Sequence, residues 1–456
     1  MSIIVPANSA VAGGFDVENS CRFDGSTSKM SVTPGSNGDL TKFTFSGWIK
    51  RGSLGVRQSI ITSLNAVGSH TTIEIDSSDR LNFYDIQGSS YKGQLLTTRV
   101  LRDTSAWYHI VCVWDTDNST AADRMIVYIN GVKETIFTTN TEPTSGQVGN
   151  LLEASVPTGM GVYWNGTSGF WNGYMSEIAL LDGTAAAVTD FGEFDEDSGI
   201  WKPIDVSGLT FGSQGFYLNF QDSANLGNDA NGGTDLTETG LTAIDQSTDS
   251  CTNNFATGNI LSPYANRTIT DGSLTITSTT TQWTNICSTI GVSSGKWWIE
   301  LKHTAGSYGG LGIVSPFPQT ENNVIGDFSA PVIQQIGYVA ASGDKKINNS
   351  TSSYGSTWVG TGDIVNMSLN LDDNELKFYK NGTVQDSGTA IAISSGYTYF
   401  VGTSNYNSSG SSFNFGNPAF SISSGNADAN GYGNFEYAPP AGFLALCTKN
   451  LSGELS

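Results

Sequence analysis

The stretch Trp107–Glu134, WYHIVCVWDTDNSTAADRMIVYINGVKE, constrains the fold more than any other. Two apolar runs, Trp107–Trp114 and Met125–Ile129, are crowded with β-branched and aromatic residues, and the segment between them is turn chemistry. That pattern predicts a β-hairpin. Both runs are apolar on both faces, so each strand should be covered on two sides. Asn130-Gly131 closes the second run, and Asn-Gly is a strong tight-turn pair. The device recurs in Gly362–Gly382, GDIVNMSLNLDDNELKFYKNG. There Val365, Met367, Leu369 and Leu371 alternate with Asn366, Ser368 and Asn370, and Asn381-Gly382 ends a strand. The expectation is an all-β chain, two β-sandwich or jelly-roll domains in series.

At 456 residues the chain is too long for one core. Its 54 glycines against 12 prolines make it turn-rich, and 38% hydrophobic content marks it as globular. Helical periodicity is nearly absent; Thr184–Phe194 is the best candidate for a short helix. A formal charge of −21 argues against nucleic acid as a partner. Cys21, Cys112, Cys251, Cys287 and Cys447 show neither a CxxC pair nor a dense framework, so neither zinc nor a disulfide scaffold is indicated. Cys112 and Cys287 sit in apolar strands and read as buried thiols. The opening MSIIVPANSAVAGG does not read as a signal peptide, and no apolar run is long enough to span a bilayer.

In order, residues 1–20 read as an N-terminal arm, with Ile3, Ile4 and Val5 as an anchor for another chain. Residues 21–225 carry short strands at regular spacing, as in a jelly roll. Residues 226–262, poor in apolar side chains, read as a linker. The β pattern restarts over 263–424, and 425–456 form a C-terminal tail.

The series FDGS (Phe23–Ser26), FTFSGWIKR (Phe43–Arg51), WYHIVCVWD (Trp107–Asp115), VYINGV (Val127–Val132) and GYMSEIALLDG (Gly173–Gly183) resembles the laminin-G-like, concanavalin A-type jelly roll. GKWWIELKH (Gly295–His303) and the Gly362–Gly382 hairpin resemble a SPRY sandwich. With DEDSGIWKP (Asp195–Pro203), NNFATGN and APPAGFLALCTKNL, the whole chain is similar to a class of tailed-bacteriophage virion proteins. That resemblance implies a virion component that meets the host surface; neither fold sets a function by itself.

The candidate chemistry is sparse. His70, His109 and His303 accompany no GxSxG elbow or cysteine pattern, and each reads as a satisfied structural histidine. Concanavalin A-type folds also host glucanases with a Glu-x-Asp-x-x-Glu strand, and Glu74-Ile-Asp76-Ser-Ser-Asp79 comes near it. Retaining hydrolysis needs two carboxyl groups about 5–5.5 Å apart. Glu74 and Asp76 are expected on one strand face, but Asp79 stands in a turn where the acid Glu belongs, so no catalytic residue is assigned. Asp115, Asp117 and Asp123 are the candidate calcium ligands, although Thr120 and Ile126 replace the Gly and Glu of an EF-hand loop. No other cofactor is expected. Tyr308, Tyr338, Tyr354, Trp358 and Tyr406 lie near Gly/Ser/Asn-rich segments and are the candidate ligand-binding residues, rings that stack on a sugar.

The reading is therefore a non-enzymatic structural and adhesive virion protein, exposed on the particle surface or tail. Its partners are other virion proteins and a host-surface glycan or receptor, and it is a homo-oligomer, taken as a trimer. The alternatives are a glycan-cleaving concanavalin A-type hydrolase and a purely structural virion protein.

Overall fold

The computed structural model describes residues 14–65, 68–262, 266–316, 322–329 and 334–453. Residues 1–13 of the expected arm, Ile3, Ile4 and Val5 among them, lie outside the described residues. The chain divides between Asn253 and Asn254 into two units.

The first unit begins with β1 (Ser20–Asp24), β2 (Lys29–Val32), β3 (Lys42–Arg51), β4 (Gln58–Ser63), β5 (His70–Ile75) and β6 (Arg80–Gln87). It continues with β7 (Ser90–Val100), β8 (Trp107–Asp115), β9 (Met125–Ile129), β10 (Val132–Lys133), β11 (Phe137–Thr141), β12 (Thr158–Met160) and β13 (Asn172–Asp182). Five short strands close it: β14 (Gly192–Phe194), β15 (Trp201–Pro203), β16 (Phe216–Leu218), β17 (Thr237–Thr239) and β18 (Gln246–Ser247). β8 and β9 form the expected hairpin, Trp114 opposite Met125, and Asn130-Gly131 turns the chain with φ of +50° and +77°. A Cβ on Gly131 would come 2.2 Å from the Trp201 ring, so the position needs glycine twice over.

Two antiparallel sheets pack face to face, in the orders β10-β9-β8-β3-β13-β1-β18 and β11-β7-β6-β5-β4-β12-β2-β17. Phe43, Phe45, Ile110, Cys112 and Trp114 of one meet Ile61, Ile73, Ile75, Leu81 and Phe83 of the other. Each such side chain contributes about 1.5–3 kcal/mol when fully buried. The opposite face of β8, Val111 and Val113, packs on Phe191, Val206, Phe211 and Tyr217. That cover is why both faces of the strand are apolar.

Three expectations for this unit change. Thr184–Phe194 holds only a 3-10 turn, Val188–Asp190, followed by β14; the segment lies extended over the sheet and anchors through buried Phe191. The end of the expected arm packs too, with Val17 buried among Trp48, Trp107 and Tyr174. And 226–253 is not a linker: β17 pairs with β2, β18 pairs with β1, and Leu226, Leu236 and Leu241 enter the core. Few apolar residues suffice because backbone pairing and a buried Lys50–Asp249 ion pair, 2.7 Å, hold the segment down.

The second unit contains β19 (Arg267–Thr270), β20 (Thr275–Ser278), β21 (Thr284–Val292), β22 (Lys296–Ala305), β23 (Gly310–Ser315), β24 (Gln334–Val339) and β25 (Asp344–Ile347). β26 (Ser350–Ser353), β27 (Ile364–Asn370), β28 (Glu375–Lys380), β29 (Thr383–Val384), β30 (Ile391–Ala392), β31 (Tyr399–Asn405), β32 (Gly410–Asn414) and the helix α1 (Thr448–Gly453) follow. Its sheets run β19-β20-β32-β22-β27-β28-β29 and β21-β31-β23-β24-β25-β26. Val365, Met367 and Leu369 of β27 point into the core, as the alternation requires. Asn366, on the other face, is buried as well and donates to Glu300 at 3.0 Å. The expected C-terminal tail covers that face: Phe435, Ala445 and Cys447 pack on Trp298, and the backbone N–H groups of Glu436 and Tyr437 donate to Glu300. The tail is part of the sandwich, not an appendage.

Candidate functional site

Strands β4 to β7 carry a polar and aromatic face on the side away from the core. Ile73 and Ile75 of β5 point inward, so His70, Thr72 and Glu74 point outward, as period-two alternation dictates. Antiparallel register sets Asn82 beside Glu74 and Tyr84 beside Thr72 on β6, Ser59 beside Glu74 on β4, and Gln94 beside Tyr84 on β7. Two loops and one strand complete the site. Arg57 precedes β4, Tyr91 lies on β7, and Tyr163 and Trp164 follow β12. The Tyr163 loop is fixed by backbone bonds from Tyr163 to Ser168 (2.9 Å) and from Gly166 to Tyr163 (2.7 Å), and by Lys29 donating to the Gly166 carbonyl at 2.7 Å.

Glu74 is the centre. An amide chain orients it: Gln94 Nε2 donates to Asn82 Oδ1 and Asn82 Nδ2 to Glu74 Oε1, each at 3.1 Å. The other oxygen, Oε2, is buried without a hydrogen bond; Arg57 Nε stands 3.3 Å away. Burial pushes the Glu74 carboxyl up to about 7, with Arg57 and Asn82 pulling the other way. His70 stacks on Trp164 (5.3 Å, 20°) and meets Tyr84 and Tyr163 edge-on. Both its ring nitrogens are buried without partners, and burial, with Arg57 adding, lowers its pKa to about 4. The ring is therefore neutral at pH 7, and it is not the satisfied histidine expected. His109 is one, bonded to Ser46 (2.8 Å) and Trp201 (3.0 Å); His303 bonds the Gly306 carbonyl at 3.0 Å. Arg57 lies 4.8 Å over the Tyr163 ring and, like Tyr91, is half exposed. The arrangement offers one buried acceptor, a cation and stacked rings within a single patch.

The two other carboxylates of the Glu74–Asp79 motif, Asp76 expected beside Glu74 and Asp79 expected in the turn, are engaged elsewhere. Asp76 curls into its own turn and takes Arg80 on Oδ2 at 3.0 and 2.7 Å. Asp79 binds Arg51 (3.0 Å), Arg102 (2.9 Å) and the Gly55 N–H (2.8 Å). Burial alone would raise the Asp79 pKa, but these donors outweigh it and hold the carboxyl below its ordinary range.

The calcium candidates do not converge. Lys42 Nζ stands 3.5 Å from Asp115 and 4.0 Å from Asp117, while Asp123 pairs with Lys133 at 2.9 Å. Lysines occupy the positions a cation would take, and the described residues contain no metal-holding group of three acidic, His or Cys side chains. The five candidate rings also separate. Tyr338, Tyr354 and Trp358 are buried in the second core, packed on one another at 5.4–6.0 Å, so they are not rim contacts. Tyr338 faces inward from β24, whereas Tyr354 and Trp358 do stand in the loop between β26 and β27, which folds its rings into the core instead of toward solvent. Tyr308 and Tyr406 do reach solvent. Sequence patterns alone do not single out Arg57, Tyr91, Tyr163 or Trp164. The signal present was the alternation of Thr72 and Glu74 with Ile73 and Ile75.

Residues 24–187 match the laminin-G family model described as the concanavalin A-like lectin/glucanases superfamily. The first unit is a concanavalin A-like jelly roll. No curated protein matches the sequence. Among solved structures, the chain is similar to the SPRY domain of human HERC1, 14% identical, with a TM-score of 0.27, covering 33% of this chain and 92% of that one. It is also similar to a Bacteroides ovatus protein proposed to bind carbohydrate, 16% identical, with a TM-score of 0.34, covering 49% and 58%. A heptameric pentraxin from Limulus polyphemus is 17% identical, with a TM-score of 0.28, covering 37% and 78%. The site built around Glu74 lies within the matched stretch of the jelly roll.

Proposed function

We propose that this chain is a non-enzymatic, carbohydrate-binding adhesive protein, and that its jelly roll takes a saccharide on the outer face of β4 to β7. The observation that carries the reading is Glu74 Oε2, a buried acceptor that makes no hydrogen bond and is paired only with half-exposed Arg57 at 3.3 Å, beside stacked rings. A hydrogen bond to a charged group is worth about 1.5–3 kcal/mol, so a sugar hydroxyl donating at this edge would add to the Arg57 ion pair. Tyr91, Tyr163 and Trp164 supply ring faces for the C–H side of a pyranose. The lectin/glucanase description of the matching family supports the same ligand class. A glycoside hydrolase is the second reading, favoured by a Glu74 pKa near the range of a general acid. Against it, Asp76 and Asp79 are both held by arginines.

Titration of the full chain with a panel of oligosaccharides, by calorimetry and by reducing-end assay, tests both readings. Binding that weakens in Glu74→Gln and Arg57→Ala, without released reducing ends, is expected. Release abolished by Glu74→Gln makes it a hydrolase, and unchanged binding by both variants removes the site. The setting we infer is a tailed-phage particle, in which a homo-trimer meets other virion proteins and a host glycan. It rests on the sequence resemblance of DEDSGIWKP, NNFATGN and APPAGFLALCTKNL. Mass spectrometry of purified particles tests it; absence from the particle overturns it.

A further inference from the structure

Three rings from three separate loops meet on the second unit. Trp283 stands just ahead of β21, Tyr308 lies between β22 and β23, and Tyr406 follows β31. Ring centroids are 5.2 Å apart for Trp283–Tyr406, 5.1 Å for Tyr308–Tyr406 and 6.5 Å for Trp283–Tyr308. The first pair is inclined at 37°, and Tyr308 stands nearly edge-on to both, at 84° and 80°. Tyr308 is 38% exposed, and the other two are half-buried.

The rings are held in place by their loops. Ser409 Oγ accepts the N–H groups of Ser307 (3.2 Å) and Tyr308 (3.0 Å). The Asn407 N–H donates to the Thr280 carbonyl at 3.0 Å, and the Trp283 N–H to Asn322 Oδ1 at 2.8 Å. A site built before its ligand arrives loses little entropy in ordering. Exposed amides flank the rings: Gln282, bonded to Asn266 at 2.9 Å, with Asn322 and Asn407. The loop segments themselves, STTTQW (278–283), GSYG (306–309) and YNSS (406–409), contain no charged residue. Half-exposed rings framed by amides and hydroxyls fit a neutral polyhydroxyl ring, apolar on one side and hydrogen-bonding at its edge. The net charge of −21 also disfavours acidic glycans.

We propose that Trp283, Tyr308 and Tyr406 form a second saccharide site, specific for neutral pyranosides. It extends the carbohydrate-binding reading above but uses none of the Glu74 residues, so the two stand or fall separately. A small, open site of this kind binds weakly, with Kd of the order of millimolar.

The test is saturation-transfer NMR and calorimetry on the full chain, with chitotetraose, cellotetraose and mannotetraose as neutral probes and tetragalacturonate as the acidic one. Tyr308→Ala and Tyr406→Ala should weaken neutral-probe binding about tenfold or more at this site. Tyr308→Phe, which keeps the ring, should retain it. Trp283 also packs on the core beneath it, so its alanine variant counts only if its melting temperature matches that of the parent. Loss in the tyrosine variants with Glu74→Gln unaffected supports this site alone. Loss confined to Glu74→Gln overturns this proposal and leaves the first. A preference for tetragalacturonate overturns the neutral specificity, and no binding of any probe overturns both sites.

Discussion

Arg57 Nε lies 3.3 Å from Glu74 Oε2, with the guanidinium half exposed and the carboxyl buried. Removing a carboxylate from water costs more than an arginine at the surface returns, because the exposed partner is screened by solvent. The balance is visible in the raised pKa of Glu74 despite its cationic neighbour.

Stability should depend on pH through Glu74. Burial raises its pKa from 4.5 to about 7, so the folded state holds the proton more tightly than the unfolded one. Stability therefore declines as pH rises through that window and is not affected by this group below it. Asp85, Glu177 and Glu300, also raised, add to the slope of the parent. In Glu74→Gln this group no longer contributes, so the variant should gain on the parent in melting temperature between pH 5 and pH 8. An equal difference at both pH values contradicts it.

Calcium should not stabilise the first unit. Lys42 stands between Asp115 and Asp117, and the Thr41 hydroxyl donates to Asp117 at 3.0 Å. A ligand bound only by the folded state raises the melting temperature by mass action. Scans in millimolar calcium and in EDTA should coincide. A rise of several degrees that disappears in Asp117→Asn would show a site at this corner.

Trp358 should behave as a core residue. It is buried against Tyr338, and the His303 ring lies edge-on at 6.1 Å. Trp358→Ala should cost about 3–5 kcal/mol in urea unfolding. Tyr308→Ala, at a half-open ring, should cost about 1 kcal/mol or less. Similar losses for the two would contradict the burial described.

Asp249 should tie the 247–253 segment to the first jelly roll. Its carboxylate takes Lys50 at 2.7 Å and the Trp107 indole N–H at 3.1 Å, all buried. Asp249→Ala withdraws the carboxylate from a buried lysine, a change worth about 3–5 kcal/mol. A denaturation midpoint matching the parent would return this stretch to the status of a linker.

The two hairpins could be read from the chain because their signals are local. Trp107–Ile129 and Gly362–Gly382 carry strand periodicity, and Asn130-Gly131 and Asn381-Gly382 supply the positive φ their turns need. The concanavalin A-like character of the first half was legible in the same way, from ordered short motifs. Which faces are covered was not legible. Tyr338, Tyr354 and Trp358 looked like rim residues beside Gly and Ser, yet they face a core closed by strands far away in sequence. Residues 226–253 looked too polar to pack, yet they pair with β1 and β2, whose residues lie about two hundred positions earlier. Glu74 was identified as a motif member, but Arg57 meets it, and Tyr163 and Trp164 meet His70 on the same face, only through the register of β4, β5 and β12. Alternation along a strand is a property of neighbouring residues, whereas burial and the company a side chain keeps depend on long-range pairing that only the tertiary structure decides.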